Sequence, residues 1–356
     1  MLRAQLLGLA GAAALAWPAL ARPVLDQMLA CVNGRDAVAA LPTCLGVAHD
    51  QTRSAADRAA AYANAGLLSY SAHDPDAAMA SFRDALALDA NSHAAYAGRA
   101  DVEFATGHYE AAVADAGRAV ALEPNDHPDA YLLLGTLADR NGDHQAKIDY
   151  LSKAIALAPG YAQAFVIRSS GYEAQGKYNL ALADLDRAIA LDRSLAAAVQ
   201  PKYETIYVGR GDAEMRAGAT KAAIGDYSAA LRFNPANASW LNRRGDAYNM
   251  TGQFRNAIAD LSQAIRADPS YSAAYGNRGV SYMQTGRDDL ALADFDKTIS
   301  LGNAAASIYF LRGKIHQRQS DLGSARADFH KALDLLPPGD PARVDIQAAI
   351  NEGGNR

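Results

Sequence analysis

Between Ala59 and Gly339 the hydrophobic positions fall at helical spacing, and the whole pattern returns every 34 residues, with copies beginning at Ala59, His93, Pro128, Ala162, Glu204, Ala238, Ser272 and Ala306. The fourth position of each copy is large (Tyr62, Tyr96, Tyr131, Phe165, Tyr207, Leu241, Tyr275, Tyr309) and the eighth is small (Gly66, Ala100, Gly135, Ser169, Gly211, Gly245, Gly279, Gly313). One turn apart on one face, the pair predicts a first helix whose small residue admits a neighbouring helix at close range. A glycine ends that helix at Gly107, Gly142, Gly176, Gly218, Gly252 or Gly286, because glycine reaches the left-handed conformation without a Cβ clash. Alanines seven residues apart, such as Ala223 with Ala230 and Ala257 with Ala264, give a second helix its buried stripe. Pro124, Pro159, Pro235, Pro269 and Pro337 forbid that helix to continue. Each copy is therefore predicted as helix, turn, helix and stop, and such an array is more often a binding surface than an active site.

The copy from Ala238 to Tyr271 reads ASWLNRRGDAYNMTGQFRNAIADLSQAIRADPSY, and the next, from Ser272 to Ala305, reads SAAYGNRGVSYMQTGRDDLALADFDKTISLGNAA. These residues resemble the tetratricopeptide repeat, and the resemblance covers roughly four fifths of the chain. It implies an all-α fold, an α-solenoid of eight helix-turn-helix repeats. It also implies that the second, fifth, ninth and twelfth positions of each first helix look into a concave groove. Those positions carry Asp101, Asp129, Asp139, Glu173, Asp212, Asp246 and Asn249, with Thr136, Ser170, Asn242, Met215 and Met283 beside them and Lys314 as the one cation. An acidic floor attracts a basic segment, so the partner expected is a protein or peptide that carries one. Relatives that hold a chaperone's carboxyl terminus use lysines and asparagines on successive first helices. The fifth positions here are Ala63, Ala97, Leu132, Val166, Val208, Asn242, Gly276 and Phe310, which offer no lysine for such a clamp.

Comparison among the copies exposes a paired charge. The seventh position is Arg99, Arg168, Arg210, Arg244, Arg278 and Arg312, and the twenty-third is Asp115, Asp149, Asp184, Asp226, Asp260, Asp294 and Asp328. Such regularity predicts a ladder of partly buried pairs that fixes helix register more than it adds net stability. Two copies depart from the pattern: Lys147 stands where alanine is expected, and Ala116 where a large residue is usual.

A net charge of −5 argues against generic nucleic-acid binding, which needs a basic stripe to neutralise phosphates. At the amino terminus Met1-Leu2-Arg3 precedes an apolar run from Leu6 to Trp17 and then Pro18-Ala19-Leu20-Ala21. This predicts a signal peptide over residues 1–21 and an exported, periplasmic protein, with no permanent membrane span because the run is too short. Both cysteines, Cys31 and Cys44, follow the predicted cleavage site, and an even count in an exported chain predicts a disulfide closing a helical hairpin over residues 22–58. Lipid attachment at Cys31 and a metal site are the alternatives, although two cysteines alone rarely hold a metal.

The eight residues Ala196 to Tyr203 interrupt the period, dividing the array into repeats 1–4 over residues 59–195 and repeats 5–8 over residues 204–339. With Arg193 in place of the usual proline, the second helix of the fourth copy is expected to run on to Gln200-Pro201. Residues 340–356 read as a capping helix and tail, Val344, Ala348 and Ile350 covering the last repeat while Arg343, Asp345 and Gln347 face water.

Enzyme signatures are missing: no nucleophile elbow, no phosphate-cradling Gly-Lys-Ser loop and no H-E-x-x-H appear in the sequence. Gly209-Arg210-Gly211 and the Arg-Gly-Asp triplets at Arg210 and Arg244 are explained by their repeat positions. The eight histidines are dispersed, with His73, His108 and His144 at or just after turns in solvated or capping roles, so neither cofactor nor metal set is expected. The reading is a non-catalytic exported scaffold. Its rivals are a self-associating structural protein, and an envelope enzyme or carbohydrate-binding protein using groove carboxylates, which would need two of those carboxylates together in a closed pocket.

Overall fold

The computed structural model describes Cys31, residues 37–302 and residues 305–354, so the leader expected at 1–21 and the Asn33-Gly34 turn lie outside the described residues. All regular structure among the described residues is helical. The chain forms two compact units, which divide between Leu195 and Ala196.

The first unit contains α1 (Ala37–His49), α2 (Ala55–Ser71), α3 (Pro75–Leu88), α4 (His93–Ala105), α5 (Tyr109–Leu122), α6 (Pro128–Arg140), α7 (His144–Leu157), α8 (Ala162–Ala174) and α9 (Tyr178–Leu191). From α2 on they form four hairpins: each first helix packs on its own second helix, and α3, α5 and α7 each pack on the hairpin that follows. Helix α1 lies against α2 and is tied to Cys31 by the disulfide with Cys44, the two Cα atoms 4.9 Å apart. The first repeat starts earlier than its period suggests, because Ser54 accepts a hydrogen bond from the Asp57 amide at 3.1 Å and so opens α2 four residues before Ala59.

The second unit contains α10 (Ala196–Arg216), α11 (Thr220–Phe233), α12 (Ala238–Met250), α13 (Phe254–Ala267), α14 (Ser272–Gln284), α15 (Asp288–Ser300), α16 (Ala306–Arg318), α17 (Leu322–Asp334) and α18 (Ala342–Gly354). Here the expectation for Ala196 to Tyr203 is corrected. Helix α9 stops at Leu191, and the extra residues lengthen the fifth repeat's first helix. The Asp192 carboxylate accepts from the Ser194 amide at 2.9 Å and from its hydroxyl at 2.7 Å, a local alternative to helical bonding that turns the chain where no proline does. Pro201 removes one main-chain donor from the second turn of α10 without ending it.

Six turns carry glycine at positive φ, as the spacing predicts, while the first and last repeats place His73 (φ 68°) and Ser320 (φ 66°) there instead. The small residue at the eighth position meets a large one on the second helix of the same repeat. A Cβ added at Gly245 would lie 2.7 Å from Leu261, and one at Gly135 would lie 2.7 Å from Leu151. In the second repeat the contact becomes Ala100 against Ala116, and Leu133, Leu134 and Leu137 of the next first helix fill the space. The cap is corrected in part: Ile350 packs on the last repeat and Asp345 and Gln347 face water as expected, but Val344, 71% exposed, and Ala348 do not cover it, and Ile346 and Ala349 are the buried residues. Arg343 turns inward, donating to the carbonyls of Leu333 at 2.6 Å and Leu336 at 2.9 Å, where the end of α17 no longer supplies the amide four residues on.

Candidate partner-binding surface

The frame that presents the first helices is the charge ladder. Each of the six arginines engages the aspartate sixteen residues on through two guanidinium nitrogens, as in Arg244 with Asp260 (2.6 and 2.9 Å) and Arg278 with Asp294 (both 2.8 Å). The third nitrogen reaches back to the preceding repeat, Arg168 to Ser152, Arg244 to Ser228 and Arg278 to Ser262, at 3.0 to 3.1 Å. One guanidinium thus joins a first helix to two second helices, a planar fork that lysine could not supply.

On that frame the groove residues have different fates. Asp139 is exposed and lies 3.0 Å from Lys147 Nζ, whose side chain is otherwise buried and also donates to Ser170. Asp212 accepts from the Tyr227 hydroxyl at 2.7 Å and from Arg243 at 2.6 Å. Asp129 accepts from the Tyr161 hydroxyl at 2.6 Å. Asn249 is spent on packing: its amide donates to the Asn277 carbonyl at 2.9 Å, and its carbonyl accepts from Ser281 at 2.6 Å. Asp101, Glu173 and Asp246 are half-buried. Burial pushes the Asp246 carboxyl up, and burial followed by the nearby Asp129 charge pushes Asp101 up to about 7. Asp101 and Asp129 are therefore brought into one electrostatic neighbourhood, which also includes Tyr70 and Tyr161.

Several contributors were not visible from the groove positions. Lys314 is not the one cation near the floor, since Arg243, at the sixth position of its repeat, reaches Asp212, and Lys147 reaches Asp139 from a second helix. The signal for Lys147 was its departure from the alanine stripe. Glu103 and Glu214 share the eleventh position of repeats 2 and 5, where repeats 4, 6 and 7 have Tyr172, Tyr248 and Tyr282. Burial and the neighbouring Asp115 push Glu103 up to about 7, and Glu214 moves the same way for the same reasons beside Asp226. His93, Asp126 and His127 place potential metal-ligating atoms within 4.8 Å of one another; the clue was the 34-residue spacing of the two histidines.

A shallow cavity lies under the cap, lined by Gln317, Leu322, Ala325, Arg326 and Phe329 among others, and none of the groove carboxylates belongs to it. No helix among the described residues is long and apolar enough to cross a membrane.

A family model described as tetratricopeptide repeat matches residues 63–126, 97–162, 169–238, 208–252 and 242–306, well over half of the chain. No curated protein sequence matches it. Among solved structures, the C-terminal part of a repeat-containing protein from Cytophaga hutchinsonii is 16% identical over 69% of this chain and 97% of its own, with a TM-score of 0.52. A tetratricopeptide repeat protein from Parabacteroides merdae is 21% identical over 74% of this chain and 99% of its own, with a TM-score of 0.37. The first such domain of Spaghetti, solved with the HSP90 peptide SRMEEVD, is 22% identical over 33% of this chain and 94% of its own, with a TM-score of 0.33. At 16% identity the first of these likenesses bears on the fold alone.

Proposed function

The chain belongs to the tetratricopeptide repeat family, and on that premise we propose that it is a non-catalytic scaffold of the cell envelope whose first helices hold a basic segment of a protein partner. The fold is that of interaction scaffolds, and the disulfide fits an oxidising compartment. Export rests on the leader-like residues 1–21.

The observation that carries the basic-segment reading is Asp101. It is half-buried, no side chain among the described residues donates a hydrogen bond to it, and burial together with Asp129 disfavours its charge. A lysine or arginine placed between Asp101 and Asp129 would restore the charged form and replace lost hydration with a charge-assisted hydrogen bond. Glu173 extends the acidic character to another first helix of the same unit, whereas Asp139 there already has a basic partner within the chain.

The test is fluorescence anisotropy of the full chain with a lysine- and arginine-rich peptide, compared with the variant Asp101→Asn, Asp129→Asn, Glu173→Gln. Each exposed pair is worth about 0.2 to 1 kcal/mol, so the combined change should weaken binding several-fold while helicity stays intact. Rising salt should weaken the parent further, because screening shortens charge interactions to about 10 Å near 0.1 M. Equal affinity of parent and variant would remove the basic-segment reading and leave the interaction-scaffold class standing.

A further inference from the structure

We propose that His93, Asp126 and His127 form a site for one divalent ion of the zinc class, bridging the second and third repeats. His93 opens α4, and His127 immediately precedes α6. One repeat length separates them, so stacking the hairpins sets the two rings side by side, with His93 Nδ1 2.6 Å from His127 Nε2 and ring centroids 4.8 Å apart. Asp126 brings a carboxylate oxygen to 3.9 Å from the same His93 nitrogen.

His127 is the N-cap residue of α6, yet its side chain makes no cap hydrogen bond to that helix. The two rings instead meet nitrogen to nitrogen, their planes tilted by 52°. Glu123 and Asp129 lie within electrostatic range of His127, so the neighbourhood is negative. Two imidazole nitrogens and one carboxylate oxygen suit zinc, cobalt, nickel or copper; magnesium and calcium call for sets made mainly of oxygens.

Ligands about 2.1 Å from a tetrahedral ion stand about 3.4 Å from one another. The 3.9 Å pair must close slightly, the 2.6 Å pair must open by less than an ångström, and the Asp126–His127 pair, within 4.8 Å, must close by at most about 1.4 Å. The side chains can do so, since that of His93 is 39% exposed and that of Asp126 is 56% exposed. Three protein ligands leave a fourth position for water or for a donor from a partner. The bound ion would couple α4 to the loop before α6 and stabilise the first unit by mass action.

The experiment uses the full chain without a histidine tag. Zn2+ is titrated by calorimetry, and Co2+ serves as the spectroscopic probe, since tetrahedral cobalt has visible bands. One ion per chain is expected, with at least about tenfold weaker binding in His93→Asn and in His127→Asn, a smaller loss in Asp126→Asn, and no competition from excess Ca2+. Circular dichroism checks each variant, and His93→Asn alone decides the matter if His127→Asn loses helicity. Failure of the parent chain to bind Zn2+ at micromolar concentration, or unchanged affinity in the folded histidine variants, would overturn the proposal and leave the contact as a hydrogen bond between two imidazoles.

Discussion

Repeats three and six share a backbone and differ in how they bury charge. In the sixth, Arg244 and Asp260 face each other through two hydrogen bonds, their side chains 20% and 11% exposed. In the third, Leu134 replaces the arginine, and the Asp149 carboxylate turns to Gln145 at 2.8 Å. The buried cation there is Lys147, 1% exposed, reaching an Asp139 side chain that is 47% exposed. Both repeats nonetheless fold as hairpins with a left-handed glycine in the turn, Gly142 or Gly252, and a glycine against a leucine between the helices. The packing positions therefore define the hairpin, and the charge pair is a separable device laid over it.

The same substitution in the two repeats should separate these roles most sharply. Arg244→Met strands Asp260, and removing one member of a buried pair costs about 3 to 5 kcal/mol. Lys147→Met removes the buried charge itself, while the Asp139 left behind is already half in water, so the change should stay within about 1 kcal/mol of neutral. Denaturant unfolding, with hydrogen exchange locating the loss to residues 238–305 for the arginine variant, reads both values. Equal costs would mean that Lys147 belongs to the same class of structural pair as the arginines.

The shared part of the comparison predicts a smaller effect of equal size. Gly245→Leu and Gly135→Leu should each destabilise by about 1 to 3 kcal/mol, since the new side chain has to displace Leu261 or Leu151. Solenoid energies are summed over neighbours, so hydrogen exchange should rise mainly in the altered repeat and those adjoining it. Tolerance at either glycine would break the claim that the close approach defines the hairpin.

What the sequence made legible follows the same division. The turn glycines, the small eighth position and the arginine-aspartate ladder all recur, and recurrence identifies a position without any knowledge of its neighbours. The extension of α10 was missed because it depends on how one residue, Asp192, spends its carboxylate. The face of α18 was read only in part, Ile350 correctly but not Val344 or Ala348, because an end helix meets the array in one place and has no second copy to compare. The groove was harder still. Asp129, Asp139 and Asp212 look alike as sequence positions, yet their partners come from a loop, a second helix and a neighbouring first helix, at Tyr161, Lys147 and Arg243.

The smallest effect concerns the eleventh position, where Glu103 and Glu214 replace tyrosine. Burial is the main reason Glu103 is pushed from its ordinary 4.5 up to about 7, Asp115 is the next, and Arg99 offsets them in part. One Glu103 oxygen is buried without a hydrogen-bond partner, and Glu214 repeats this beside Arg210 and Asp226. Between pH 4.5 and 7 the folded chain holds a proton on Glu103 that the unfolded chain has released. Stability must then fall as pH rises through that window, and the penalty is complete above it. Glu103→Gln keeps the shape and cannot ionise, so its unfolding midpoint should drop less than the parent's between pH 5 and pH 8. The Glu103→Gln, Glu214→Gln double variant should flatten the profile further, while Tyr248→Phe in a tyrosine repeat should leave the pH dependence where it was. Parallel profiles for parent and glutamine variants would show that these two glutamates are hydrated in solution and that their repeats handle charge as the tyrosine repeats do.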